Sequence, residues 1–279
     1  MKALTKLTLA LFALATLQSC DKVDGPYKEN IQVVAGERKV LVEDYTGHKC
    51  GNCPRASRAL YDLKAIYGDR LVIMAVHAGG FATVFPPSAP YYTYDFRTPE
   101  GTELDTDFGI SAAGNPNGLV NRRQVNGNYI LSSTSWASEI GNVLNDATPV
   151  PVKITIENSF DAGTKVLQTE VKTEMLSTLQ GSYKLSVFMV EDSIVNWQKD
   201  YDASPEDIEF YVHREVLRGS MNGTYGVDVT GLTQGNIDTK NYIKILGTDW
   251  DENHMSVIAF LYNATTKEIV QVEQKEVIE

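Results

Sequence analysis

Apolar positions follow three different rhythms along this chain, and each predicts a different kind of element. Lys39 to Tyr45 (KVLVEDY) is a β-branched run ending at Thr46-Gly47, which predicts a strand. Ala56, Leu60, Leu63 and Ile66 then recur at helical spacing, with Arg55, Arg58, Asp62 and Lys64 on other faces. That pattern predicts a helix to about Tyr67, where Gly68-Asp69 stops it. Pro54 fits a helix only near its first turn, so the start is placed at about Gly51. Leu71 to Val76 (LVIMAV) is continuously apolar, as in a strand buried on both faces beside parallel neighbours. Strand, helix and strand in this order make a βαβ unit.

From Gly79 to about Phe108 the chain is rich in Pro, Tyr and Gly without a sustained period and reads as a long insertion. Gly114-Asn115-Pro116-Asn117-Gly118 leads into a strand over Leu119 to Val125. Asn126-Gly127 is a hairpin turn into Tyr129-Ile130-Leu131. Ser132 to Asp146 reads as a helix presenting Trp136, Ile140, Val143 and Leu144 on one side. Beyond Thr148-Pro149-Val150-Pro151 the pattern turns to strands separated by turns: Val152-Ile154-Ile156, Leu185-Val187-Met189 and Val257-Ala259-Leu261 each alternate apolar with other residues. The expected architecture is an α/β domain over residues 38–148, with the insertion at about 79–108, followed by an all-β, immunoglobulin-like sandwich over 149–279.

Length and composition agree with two folded segments: 279 residues, 43% of them hydrophobic. The N-terminus adds a destination. Lys2 and Lys6 precede an apolar run from Leu7 to Leu17 that is too short to span a bilayer, so residues 1–19 read as a signal peptide. Leu17-Gln18-Ser19-Cys20 resembles a bacterial lipobox with Cys20 as the lipid acceptor, and residues 20–37 then form a polar tether. The formal net charge is −11, and loss of residues 1–19 removes two lysines and no acids. So acidic a chain is repelled by nucleic acid, which points to protein, peptide or neutral partners.

The chain has three cysteines. With Cys20 committed to lipid, Cys50 and Cys53 have only each other. Export favours disulfides, but so short a loop removes little entropy from the unfolded chain and makes a poor staple. At a strand-to-helix junction, Cys50 meets the positive end of the helix, which stabilises a thiolate; Lys49 and His48 could add positive charge. Cys50 is therefore the expected nucleophile and Cys53 the resolving thiol. Cys50, Cys53, His48 and His77 together could suit a soft metal, yet only His48 is near in sequence and a closed zinc site needs four ligands; neither a metal nor a cofactor is expected. His213-Arg214 with Arg218 reads as a solvated or interface charge cluster. The aromatics Phe81, Phe85, Tyr91, Tyr92, Tyr94 and Phe96 could roof the dithiol or pack the insertion onto its own domain.

The segments Val40-Leu41-Val42, Asp44-Tyr45-Thr46-Gly47 and Cys50-Gly51-Asn52-Cys53 resemble the thioredoxin superfamily. That resemblance implies a thioredoxin-like fold, with Asp44 as the buried acid that assists proton transfer and Glu43 as the alternative if the strand register differs by one. It also implies that Pro116 is the superfamily's cis-proline, with Asn115 before it contacting substrate through its backbone. Lys49 in place of the usual Trp, Pro54 and the insertion depart from the pattern. A closer resemblance is to the outer membrane protein 28-related lipoproteins of Bacteroidetes. It is carried by Glu43 to Gly47 with Cys50 to Pro54, by Gly114 to Arg122, and by Tyr211-Val212-His213-Arg214-Glu215-Val216-Leu217-Arg218. It implies a lipid-anchored protein of the outer membrane. The expected activity is thiol-disulfide exchange with protein or peptide thiols and disulfides. The alternative is a non-catalytic lipoprotein that binds a protein, peptide or glycan and holds Cys50–Cys53 as a static bridge.

Overall fold

The computed structural model describes residues 37–278; the signal peptide, Cys20 and nearly all of the tether lie outside them. The first segment runs β1 (Val40–Thr46), α1 (Cys53–Tyr67), β2 (Leu71–His77), α2 (Pro99–Phe108), α3 (Ile110–Ala113), β3 (Asn117–Val120), β4 (Leu131–Ser132) and α4 (Ser133–Leu144). Then come β5 (Val152–Asp161), β6 (Val166–Met175), β7 (Tyr183–Glu191), β8 (Ile194–Lys199), β9 (Asp207–His213), β10 (Val216–Ser220), β11 (Val227–Asp228), β12 (Ile237–Ile245), β13 (Met255–Asn263) and β14 (Ile269–Glu276). The protein is mixed α/β and mostly strand.

One nine-stranded sheet crosses the boundary expected near residue 148, in the order β14-β13-β7-β10-β2-β1-β3-β4 with β11 beside β7. The seam is the parallel pairing of β10 with β2 at Val216 and Ala75. β1 and β2 are also parallel, and β3 runs antiparallel to β1. The two segments therefore share a sheet, and with it a core. Leu41, Tyr45, Val72 and Met74 lie in one apolar cluster with Phe188, Leu217, Ile258 and Phe260, and Leu104 and Ile110 of α2 and α3 complete it. On the opposite face, Val40, Val42 and Ile73 pack with Leu60 of α1 and Trp136, Ile140 and Val143 of α4.

The C-terminal part of the sheet is covered by a second sheet, β12-β6-β5. Val152, Ile154 and Leu167 pack there against Leu185, Val187, Val257 and Ala259. β5 keeps the expected alternation of buried and less buried positions, whereas β7 and β13 are buried on both faces. Their intervening residues Phe188, Val190, Ile258 and Phe260 enter the other core. Layers on both sides erase the polar face that a one-sided sheet would keep.

Local expectations and outcomes differ in instructive places. α1 begins at Cys53 rather than about Gly51, with Pro54 in its first turn and Gly68 closing it at φ 56°. Ile66, expected on the buried stripe, is 73% exposed at the end of the helix. The strand expected to reach Val125 stops at Val120, because Asn121 and Arg122 adopt φ of 46° and 49°. Asn126-Gly127 forms the expected turn, with Val125 and Asn128 exchanging two backbone hydrogen bonds. The insertion read as irregular contains α2. Thr98 caps that helix by accepting from the Gly101 N–H at 3.0 Å, Pro99 opens it and left-handed Gly109 ends it.

Candidate functional site

The register of β1 decides which acid meets the dithiol. Val40 and Val42 face α1 and α4 while Leu41 and Tyr45 face away, so Asp44 points to the α1 side and Glu43 to the other. Glu43 is bound by Arg122 through two bonds of 2.7 Å, both side chains buried. Asp44 is buried, and its Oδ1 has no hydrogen-bond partner. It lines a cavity of about 20 Å³ together with Cys53, Ser57, His77, Tyr211 and His213, large enough for one water. Burial alone raises the Asp44 carboxyl to about 7, because the charged form loses solvation without gaining a partner.

Cys50 and Cys53 form a disulfide between β1 and the first turn of α1, and each is only 2% exposed. The Cys50 N–H donates to Gly47 O at 2.9 Å and the Cys53 N–H to Cys50 O at 3.2 Å. Asn115–Pro116 is a cis peptide bond. β3 starts just after it and pairs Asn117 with Tyr45, which sets Pro116 opposite Thr46 where β1 turns toward the cysteines. The Asn115 side-chain amide is enclosed without a hydrogen-bond partner.

Two segments roof the disulfide. The insertion crosses Gly47 so closely that a Cβ there would stand 2.5 Å from the Phe81 backbone. The Lys49 N–H donates to Phe81 O at 3.1 Å, and Lys49 Nζ reaches Thr83 Oγ1 at 2.6 Å. The β8–β9 hairpin covers the other side. A Cβ on Gly51 would lie 2.5 Å from the Tyr201 ring, and buried Gln198 donates its amide to Cys50 O at 3.1 Å.

Beside the cavity, three histidines gather around Phe96. The Phe96 ring stacks on His77 at 4.5 Å and approaches His213 at 4.4 Å and His48 at 5.9 Å. Burial lowers His48 to about 4 and His213 to about 3, and His77 well below the ordinary range. His48 is thus neutral near pH 7 and adds no positive charge beside Cys50, contrary to expectation. His77 shares the cavity with Cys53, and neither of its ring nitrogens has a hydrogen-bond partner. Among the described residues no group of three or more His, Cys, Asp or Glu is arranged to hold a metal ion.

The cluster of His213, Arg214 and Arg218, expected to be solvated or at an interface, divides: Arg214 is exposed, while His213 and Arg218 are internal. His213 forms a wall of the dithiol cavity, and Arg218 is buried against Glu191 at 3.1 Å and the Tyr94 hydroxyl at 2.7 Å. The insertion's aromatics reach across to the second segment: the Tyr92 hydroxyl donates to Asp207 at 2.5 Å, and Tyr91 lies 5.6 Å from Trp197. Gln198 and Tyr201 escaped sequence reasoning, and Tyr211 entered it only within the segment that carries the family resemblance. Gln198 lies 148 residues from the cysteine whose carbonyl it binds, and no spacing rule spans that interval.

The fold and site define a mixed α/β protein with a buried disulfide at the head of a helix. The family model described as Outer membrane protein Omp28 matches residues 104–279, more than half of the chain, and the chain belongs to that outer membrane family. The matched region contains the Gly114–Arg122 and Tyr211–Arg218 segments but not Cys50 and Cys53. Among solved structures, HBP35 of Porphyromonas gingivalis is similar at 16% identity and a TM-score of 0.65, covering 86% of this chain and 76% of that one. A domain of the outer membrane lipoprotein Omp28 from Porphyromonas gingivalis aligns at 18% identity and a TM-score of 0.32, covering 47% of this chain and 92% of that one. No curated protein matches the sequence. No helix among the described residues is long and apolar enough to cross a membrane.

Proposed function

We propose that the protein is a thioredoxin-like thiol-disulfide exchange protein held at the outer membrane by lipid on Cys20. The observation that carries the reading is Asp44: a buried carboxyl without a partner at Oδ1, raised to about 7, lining the same cavity as Cys53. A carboxyl poised near ambient pH is suited to proton transfer. In the reducing direction, the Cys50 thiolate attacks a substrate disulfide and expels one substrate thiolate. Cys53 passes its proton to Asp44, attacks Cys50 Sγ and releases the second substrate thiolate, which leaves Cys50–Cys53 oxidised. Asn115 and Pro116, which precede the Asn117–Tyr45 pairing of β3 with β1, would position the substrate backbone.

The direct test is trapping. A Cys53→Ser variant is expected to accumulate mixed disulfides through Cys50 in cells, and a variant that captures nothing would sink the proposal. The pair's reduction potential should fall within the range of known oxidoreductases, about −270 to −120 mV. One observation favours a second reading, a non-catalytic binding protein with a static bridge: both cysteines are almost wholly covered. A potential below about −300 mV would support it.

A further inference from the structure

We propose that the β8–β9 hairpin is a lid that must lift before the Cys50–Cys53 bond can react. The inference gives the exchange reading above a gate, and it rests on that reading for its purpose. Three observations carry it. First, β8 and β9 pair only with each other, and no residue from 194 to 213 belongs to any of the three apolar cores. A segment held without aliphatic burial opens at a fraction of the global unfolding free energy.

Second, its attachment to the cysteine loop is polar. The Lys199 N–H donates to His48 O at 2.8 Å and the Tyr201 N–H to Gly51 O at 2.9 Å, while Gln198 binds Cys50 O and Gly47 O. Arg58 reaches Asp200 at 2.6 Å and Asp202 at 2.7 Å, and Arg55 pairs with Asp202; both arginines are about half exposed. The Asp202 pairs, exposed on both sides, are individually weak and sensitive to salt, whereas Asp200 is a buried carboxylate held by Arg58. Third, both ends of the hairpin pass through left-handed residues other than glycine, Ser193 at φ 61° and Glu215 at φ 48°. These mark two pivot points at the ends of β7 and β10, outside the hairpin's own ladder.

The lid sits where a macromolecular partner would have to approach. Tyr201 lies over Gly51, and its chain already takes up the His48 and Gly51 carbonyls with N–H groups two residues apart. An incoming polypeptide would have to displace these contacts.

Reduction by dithiothreitol reads the gate on the bond itself. The reagent's thiolate attacks Cys50 Sγ, and Cys53 leaves and takes up a proton. The reagent's second thiol then displaces Cys50, so the protein gains two electrons and two protons as the reagent closes to its own disulfide. With the full chain in detergent micelles, Arg55→Gln/Arg58→Gln is expected to be reduced about three- to tenfold faster than the parent at low salt. High salt should accelerate the parent but not the variant, and Tyr201→Ala should also react faster. Equal rates in all three proteins would overturn the lid. Should a variant fail to fold, hydrogen exchange of the parent decides: the Lys199 and Tyr201 amides should exchange faster than those of β1 and β7, and equal protection would remove the proposal. Failure of the exchange reading looks different, because an untrapped partner leaves the rate ratio intact. A trapped partner with unchanged rates keeps exchange and discards the lid.

Discussion

At Asp44, burial sets a cost that changes with pH. The unfolded carboxyl titrates near 3.8 and the folded one near 7, so between those values the native state keeps a proton that the unfolded chain has lost. Stability therefore falls as pH rises through that window, by at most about 4 kcal/mol at roughly 1.4 kcal/mol per unit. Asp44→Asn removes the charge and keeps the shape. Its unfolding free energy, from urea titration, should exceed the parent's by about 2–4 kcal/mol above pH 7, with the gap closing toward pH 4. The same variant should lose the inflection near pH 7 in the rate at which Cys53 resolves a mixed disulfide. A parallel stability profile for the two proteins would show that Asp44 is already solvated or paired. The sequence placed Asp44 and Glu43 one residue apart, and only the register separated a buried acid without a partner from the one clamped by Arg122.

Elements were legible wherever their own residues set their shape. The buried face of α4, namely Trp136, Ile140, Val143 and Leu144, is the face its periodicity predicts. α2 escaped notice because its middle is polar and gives little period. Its ends nonetheless carry local instructions: a Thr cap, Pro in the first turn, Glu100 early and Gly109 at the stop. Thr98→Ala should therefore destabilise the protein by about 1 kcal/mol, measured as a shift in the urea midpoint. An unchanged midpoint would mean that packing of Leu104 and the insertion fixes α2 without its cap. The β8–β9 hairpin has no such signature, since its place over the cysteines depends on residues far away in sequence.

Across the whole molecule, the nine-stranded sheet makes the two sequence segments cooperative. β2 has β10 as its outer neighbour, and the cluster under β1 and β2 contains Phe188, Ile258 and Phe260. A fragment ending at residue 148 would bare that apolar face. It is expected to bind a hydrophobic dye and melt without a sharp transition, while the full chain unfolds in one step by both tryptophan fluorescence and far-ultraviolet circular dichroism. A sharp, cooperative melt of the isolated fragment would refute this. By itself the sequence determined the βαβ start, the dithiol at the head of its helix, the periodic helices α1 and α4 and the Asn126-Gly127 turn. These depend on backbone preferences and side-chain periods within a few residues. Tertiary structure alone decided that β10 would join β2, that Asp44 rather than Glu43 would face the cysteines, and that a hairpin some 150 residues away would cover them. Those outcomes follow from which surfaces bury each other, and no local rhythm encodes that choice.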